Sequence, residues 1–249
     1  MCLIALAYKV HEKYPVLFAA NRDEFYKRET QQMHWWEGKG FLAGRDMKAG
    51  GTWFACDKKG RWGAVTNYRN LKLHTNDALS RGRLIPDYLN GTADAATFLE
   101  NLKPKCEKYN PFNLLLFDQN GLYYFNNIEK QIQELKPGIH TLSNAFLNSD
   151  WPKSKKAAIK FESLIQQEKT EPDSVFKMLR DEQLADKSEL PDTGVGMEWE
   201  QVLSSMFIKS PDYGTRCSTF MRMDNDQNTE VWEQTYVPDT DEALKYFSF

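Results

Sequence analysis

An α+β fold built on antiparallel sheets is what this sequence predicts, and three observations predict it. Short strand-like runs joined by tight turns recur along the chain. Helical patterns are few. They do not alternate one-for-one with strands, as a parallel βαβ arrangement would require. The chain has 249 residues, long enough to bury a sizeable core, and it shows no internal repeat and no low-complexity linker. Length alone allows one or two domains, and the chain is read as a single domain over residues 1–249.

Taken in order, residues 2–8 form an apolar strand pattern, and residues 15–20 a second one that ends in the polar cluster Asn21-Arg22-Asp23-Glu24, expected as a loop. Residues 52–56 and 61–66 flank Asp57-Lys58-Lys59-Gly60, a hairpin with glycine at its turn. Residues 112–118 and 122–125 flank Gln119-Asn120-Gly121, a second hairpin with the strong Asn-Gly signal. Residues 131–135 and 139–142 around Pro137-Gly138 read as a third hairpin, and residues 216–223 with 230–236 across 224–228 as a fourth. Helices are expected over 80–89, over 92–102 with Thr92 as N-cap, over 152–167 and over 172–180. The third carries Pro152 in its first turn and an apolar face of Ala158, Phe161, Leu164 and Ile165.

Composition removes several function classes. The formal net charge is −3, so there is no basic footprint for nucleic acid. No apolar run approaches the roughly 18 residues of a membrane span. The N-terminus lacks the charged, apolar and cleavage segments of a secretion signal. Cys2, Cys56, Cys106 and Cys217 are scattered, with neither metal-type spacing nor a disulfide frame. A reducing, cytoplasmic setting is the expectation. His11, His34, His74 and His140 are too dispersed for a metal site, and neither a Gly-x-Ser-x-Gly elbow nor a phosphate loop occurs.

Cys2 is the candidate nucleophile. Once Met1 is removed, one residue holds a thiol and a free α-amine, with ordinary pKa values of about 8.5 and 7.7–8.0. Near neutral pH part of the amine is free base and is able to take the thiol proton, so nucleophile and base come from one residue. The competing reading is a small apolar residue on a buried edge strand. Asp23 is a carboxylate suited to holding the amine and tuning its pKa, and Arg22 a charge suited to lowering the thiol pKa; a local surface ion pair is the alternative for both. Trp53 and Trp62 lie in strand patterns and read as core. Trp35 and Trp36, placed in a loop with His34, read either as core or as the wall of an apolar ligand cleft, and with Arg22 they are the substrate-binding candidates.

Cys2-Leu3-Ile4 followed by Ala20-Asn21-Arg22-Asp23-Glu24-Phe25 closely resembles the NRDE family of transport and Golgi organisation protein 2-like proteins. The resemblance continues through Ala43-Gly44-Arg45-Asp46, Gly50-Gly51-Thr52-Trp53, Gly63-Ala64-Val65-Thr66-Asn67-Tyr68-Arg69, Ser80-Arg81-Gly82, Leu142-Ser143-Asn144 and Gly214-Thr215-Arg216. It implies an N-terminal nucleophile hydrolase fold, a four-layer αββα sandwich of two antiparallel sheets. It implies an amidase that cleaves a non-peptide C–N bond with Cys2 as nucleophile and without a cofactor. Asn67 and Asn144 resemble the two oxyanion-side asparagines of choloylglycine-hydrolase-like enzymes, Arg216 their late arginine beside the nucleophile, and Asp23 the aspartate at the N-terminal amine. On the residues alone, each asparagine reads equally as a turn or cap residue and Arg216 as a structural ion-pair partner. One departure stands out: the early arginine of those relatives falls at or next to the position of Ala20, whereas here it is Arg22, so its side chain is expected to point elsewhere. The family is also associated with haem mobilisation and, in eukaryotes, secretory-pathway organisation. The alternative function is thus a non-catalytic carrier of haem or another hydrophobic ligand.

Overall fold

A computed structural model describes residues 3–236 and 243–249. The chain divides into two compact units, one formed by residues 1–27 and 137–249, the other by residues 28–136. Each is an antiparallel sheet with helices packed on it, so the class is α+β with two antiparallel sheets, of six and seven strands. Cys2 lies outside the described residues.

The first unit contains β1 (Leu3–Tyr8), β2 (Val16–Phe25), β10 (Gly138–Leu142), β11 (Tyr213–Met223), β12 (Thr229–Thr235) and β13 (Ala243–Ser248), in the sheet order β10-β1-β2-β11-β12-β13. Two helices, α3 (Pro152–Gln166) and α4 (Pro172–Leu179), cover one face, α3 over β10 and β1, α4 over β11 and β2. Alternation along the strands selects what they bury. Leu3, Ala5 and Ala7 of β1, Leu17 and Ala19 of β2 and Phe220 of β11 meet Ala157 and Phe161 of α3 and Val175, Phe176 and Leu179 of α4. Small alanines on the strands let the helices sit close. Phe161, 1% exposed, contributes about 2–3 kcal/mol of transfer free energy at such a site. A short helix, α5 (Met197–Val202), precedes β11.

The second unit contains β3 (Thr30–Trp35), β4 (Phe41–Asp46), β5 (Phe54–Asp57), β6 (Trp62–Asn67), β7 (Phe112–Asp118), β8 (Gly121–Asn126) and β9 (Ile132–Glu134), paired in chain order. Helices α1 (Leu84–Asn90) and α2 (Ala95–Leu102) cover one face, where Ile85, Tyr88, Ala95 and Leu99 meet Ala43, Ala55, Leu114, Leu116 and Phe125.

Three hairpins fall where the turn chemistry put them: β5–β6, β7–β8 with Asp118 opposite Gly121, and β11–β12. The hairpin expected at Pro137-Gly138 does not form. Its two strands exist but join different sheets, β9 pairing with β8 and β10 with β1. Turn residues between strand patterns mark a chain reversal or a departure, and here they mark the passage from one unit to the other. The second strand also runs further than expected: Asn21-Arg22-Asp23-Glu24 is part of β2 rather than a loop, because those polar groups have partners in the sheet and around it. Asp94, not Thr92, caps α2, accepting from the Thr97 N–H at 2.7 Å. Strands β3, β4 and β13 and helix α5 carried no readable pattern. In β3 only Met33 is buried, as suits a strand at a sheet edge.

Candidate functional site

Four candidate residues gather at one end of the six-stranded sheet, the end where β1 begins. Leu3 pairs with Asn21, and Ile4 with both Ala20 and Leu142. Antiparallel pairing therefore brings the C-terminal ends of β2 and β10 and the N-terminal end of β11 to the start of β1. Arg22 and Asp23 lie just beyond Asn21 on β2, Asn144 lies two residues past the end of β10, and Thr215 of β11 faces Asp23. All are buried: Arg22, Asp23, Asn144 and Arg216 are 6, 2, 8 and 6% exposed.

The Gly214-Thr215-Arg216 block has a separate geometric task at each residue. A side chain on Gly214 would place its Cβ 2.1 Å from the Tyr26 hydroxyl oxygen and 2.5 Å from the Ile208 carbonyl oxygen, so only glycine lets Tyr26 lie there. Thr215 Oγ1 donates to Asp23 Oδ1 at 2.6 Å and accepts from the Ile208 N–H at 2.9 Å. Arg216 is the extra residue of a β-bulge, since the register with β2 slips between Thr215 and Cys217. The bulge lets its guanidinium reach back to the end of β2, where Nη1 donates to the carbonyls of Phe25 (3.0 Å) and Tyr26. Its Nε, buried, has no hydrogen-bond partner among the described residues.

Asn21 is structural. Its Nδ2 donates to the carbonyls of Leu179 (2.9 Å) and Met206 (2.7 Å), and its Oδ1 accepts from Ser218 Oγ at 2.5 Å. Asn21 and Asp23 thus share one face of β2. Arg22 lies on the other, the face of Ala20, because a spacing of two returns a strand to the same side. Arg22 thus shares the face of Ala20 and is opposite to the adjoining positions Ala19 and Asn21.

Arginines and carboxylates share this sheet end, and burial and their charges set the pKa directions. Burial, then the nearby Arg22 charge, lowers the Arg216 pKa. Burial and the Asp23 charge raise the Tyr26 phenol, with Arg216 opposing. Tyr26 is a member of this cluster that sequence reasoning missed; the signal was Gly214, a glycine with no turn to explain it. Cys217 is buried, its thiol pushed up by burial and by Glu233, with Arg22 and Arg216 opposing.

The remaining candidates belong to the second unit. Asn67 is the last residue of β6, half-buried and opposite Phe112. The loop pair expected at 35–36 is not a free loop: Trp35 ends β3, Trp36 packs against the helix-side core and donates Nε1 to the Ala43 carbonyl at 3.2 Å, and both are half-buried. Cations already occupy ring faces, Lys58 over Trp35 at 5.1 Å and Arg45 over Trp36 at 4.8 Å. Trp62 is core, 0% exposed. Among the described residues no cluster of three or more His, Cys, Asp or Glu is arranged to hold a metal, and no helix is long and apolar enough to cross a membrane.

The profile of the family described as Transport and Golgi organisation 2 matches residues 1–238. The chain is 31% identical over 242 residues to the Transport and Golgi organization protein 2 homolog of Bos taurus, an alignment covering 90% of this chain and 87% of that protein. The Homo sapiens homolog is likewise 31% identical over the same shares of both chains. Transport and Golgi organization protein 2 of Drosophila melanogaster is 23% identical over 250 residues, 89% of this chain and 86% of that protein. The chain belongs to the Transport and Golgi organisation 2 family.

Proposed function

We propose that this protein is an N-terminal cysteine hydrolase acting on a non-peptide amide C–N bond of a small molecule. The observation that carries the reading is the gathering of Arg22, Asp23, Asn144 and Arg216, all buried, at the end of the sheet where β1 begins one residue after Cys2. In this mechanism Cys2 attacks the carbonyl and its own amine takes the thiol proton and passes it to the leaving nitrogen. Asp23, held by Thr215, orients the amine. Asn144 and Asn67 donate to the oxyanion, each worth about 3–4 kcal/mol where such donors have been removed. Arg216 and Arg22 favour thiolate by charge. Water then releases the acyl group from Cys2.

The test is turnover against a panel of small-molecule amides. Cys2→Ala abolishes it while the unfolding transition stays in place, and Asn144→Ala lowers the rate about 100-fold or more. Turnover that survives Cys2→Ala refutes the mechanism.

A second reading is a non-catalytic carrier of haem or another hydrophobic ligand. Two observations favour it: the relatives' names speak of transport, and aromatic surface lies open near the same sheet end, where Phe25, Tyr213 and Trp199 stand edge to face with ring centroids 5.1 and 6.0 Å apart. In this reading haem titrates the protein, and replacing Trp35 and Trp36 with Ala weakens it. Unaltered titration curves rule out that wall.

A further inference from the structure

We propose a second ligand site, within the unit formed by residues 28–136, for a small zwitterion of amino-acid type with an apolar side chain. It is independent of the hydrolase reading and uses motif residues for which that reading has no role.

Two of the motif blocks build it. A Cβ on Gly51 would lie 2.4 Å from the Gly82 carbonyl carbon, and the Thr52 N–H donates to the Gly82 carbonyl at 2.9 Å. Gly51 has no room for a Cβ at this approach, and a Cβ on Gly82 would sit tightly, 3.1 Å from the Thr52 nitrogen. Asp46 Oδ1 fixes the first segment, accepting from the N–H groups of Lys48 (3.0 Å) and Ala49 (3.1 Å). Leu79 is held beside Tyr109 by a β-bridge and by its N–H to the Lys108 carbonyl at 2.8 Å. Between these segments and the first turn of α1 opens a cavity of about 370 Å³, lined by Ala49, Leu79, Ser80, Arg83, Asp87 and Tyr109. That lies within the range of small-molecule sites, about 300–1,000 Å³.

The polar lining faces solvent: Arg83 and Asp87 are exposed, Ser80 and Tyr109 half-buried. The side chains of Ser80, Arg83, Asp87 and Tyr109 make no hydrogen bond or ion pair among the described residues. Arg83 and Asp87 stand one helical turn apart, a spacing that ordinarily allows pairing; the Arg83 charge acts on the Asp87 carboxyl, but the two make no direct ion pair, which leaves both heads open to a ligand. A lone anion would meet Asp87 and a lone cation Arg83, so a molecule carrying both charges matches the pair. Its carboxylate would take the Arg83 fork, a bidentate geometry guanidinium favours, with Ser80 alongside. Its ammonium would donate to Asp87. Leu79, 51% exposed although apolar, and Ala49 would cover the side chain, with the Tyr109 ring opposite.

Calorimetric titration of the full chain with L-leucine, N-acetyl-L-leucine and L-leucinamide tests this. L-leucine binds saturably, and each blocked analogue binds about tenfold more weakly or worse. Arg83→Gln removes the preference for the free carboxylate and Asp87→Asn the preference for the free ammonium. Both side chains are on the surface, so both variants melt with the parent, which the same samples verify. Lys59→Gln, a surface change at the β5–β6 turn, leaves all three titrations unchanged. No saturable heat with L-leucine up to about 10 mM, equal binding of the blocked analogues, or folded Arg83 and Asp87 variants that still discriminate would each overturn the proposal. None of these outcomes depends on Cys2, so they leave the hydrolase reading to its own test.

Discussion

Thr215 shows how single residues hold the candidate site. One hydroxyl donates to Asp23 Oδ1 and accepts from the Ile208 N–H, and all three groups are buried. Thr215→Val keeps the shape and removes both bonds. It leaves a carboxylate oxygen without that donor and an amide without an acceptor, a loss of about 1–3 kcal/mol for buried polar groups. Urea unfolding checks it; a change below about 0.5 kcal/mol would mean Asp23 is held by other groups. The cysteines supply a second expectation. Cys56, Cys106 and Cys217 are buried, and burial raises the pKa of each thiol. Thiolate is the reactive form, so a thiol reagent at neutral pH leaves all three untouched in the folded protein and modifies them in denaturant. Rapid labelling of Cys217 in the native state would contradict the packing around the bulge.

At the scale of elements, the strands that carry the site were legible where apolar residues alternate or run together, as in β1, the first half of β2 and β7. The second half of β2 was not. Its residues are polar, and what makes them strand is their pairing with β11 nearly 200 positions away, information no local window holds. The same non-locality misassigned Pro137-Gly138, since a turn signal does not say which sheet the next strand joins. The tie between α3 and the segment after α4 was equally invisible. Asp181 receives Lys160 and Lys156 from α3 and the Gln183 N–H at 2.8 Å. Burial alone would raise its pKa, but the Lys160 hydrogen bond, the Gln183 N–H and the lysine charges outweigh burial and hold it below the ordinary value. A depressed folded pKa stabilises above the unfolded pKa, about 3.9, and that contribution disappears as pH falls through the folded value. Stability measured from about pH 7 down to about pH 2 therefore drops on the acid side below about pH 4, and Asp181→Asn flattens that limb. An acid limb of unchanged slope in the variant would show that the pair contributes nothing.

Across the whole molecule the chain leaves the first sheet after β2, builds the second unit, and returns with β10 to pair beside β1. The family motifs divide between the units accordingly. Those at 20–25, 142–144 and 214–216 converge on the end of the six-stranded sheet, while those at 43–53 and 80–82 pack on each other in the second unit. The motif residues were legible in the sequence as a set. Their division into a buried polar cluster and a glycine-built cavity was not, because it depends on which sheet each strand joins. The account rests on the first cluster serving an N-terminal nucleophile. Intact mass before and after an acylating thiol probe, with Cys2→Ala alongside, tests that most directly. The account predicts loss of Met1 and a single acyl adduct that vanishes in Cys2→Ala. Retained Met1, or an adduct indifferent to Cys2, would contradict it.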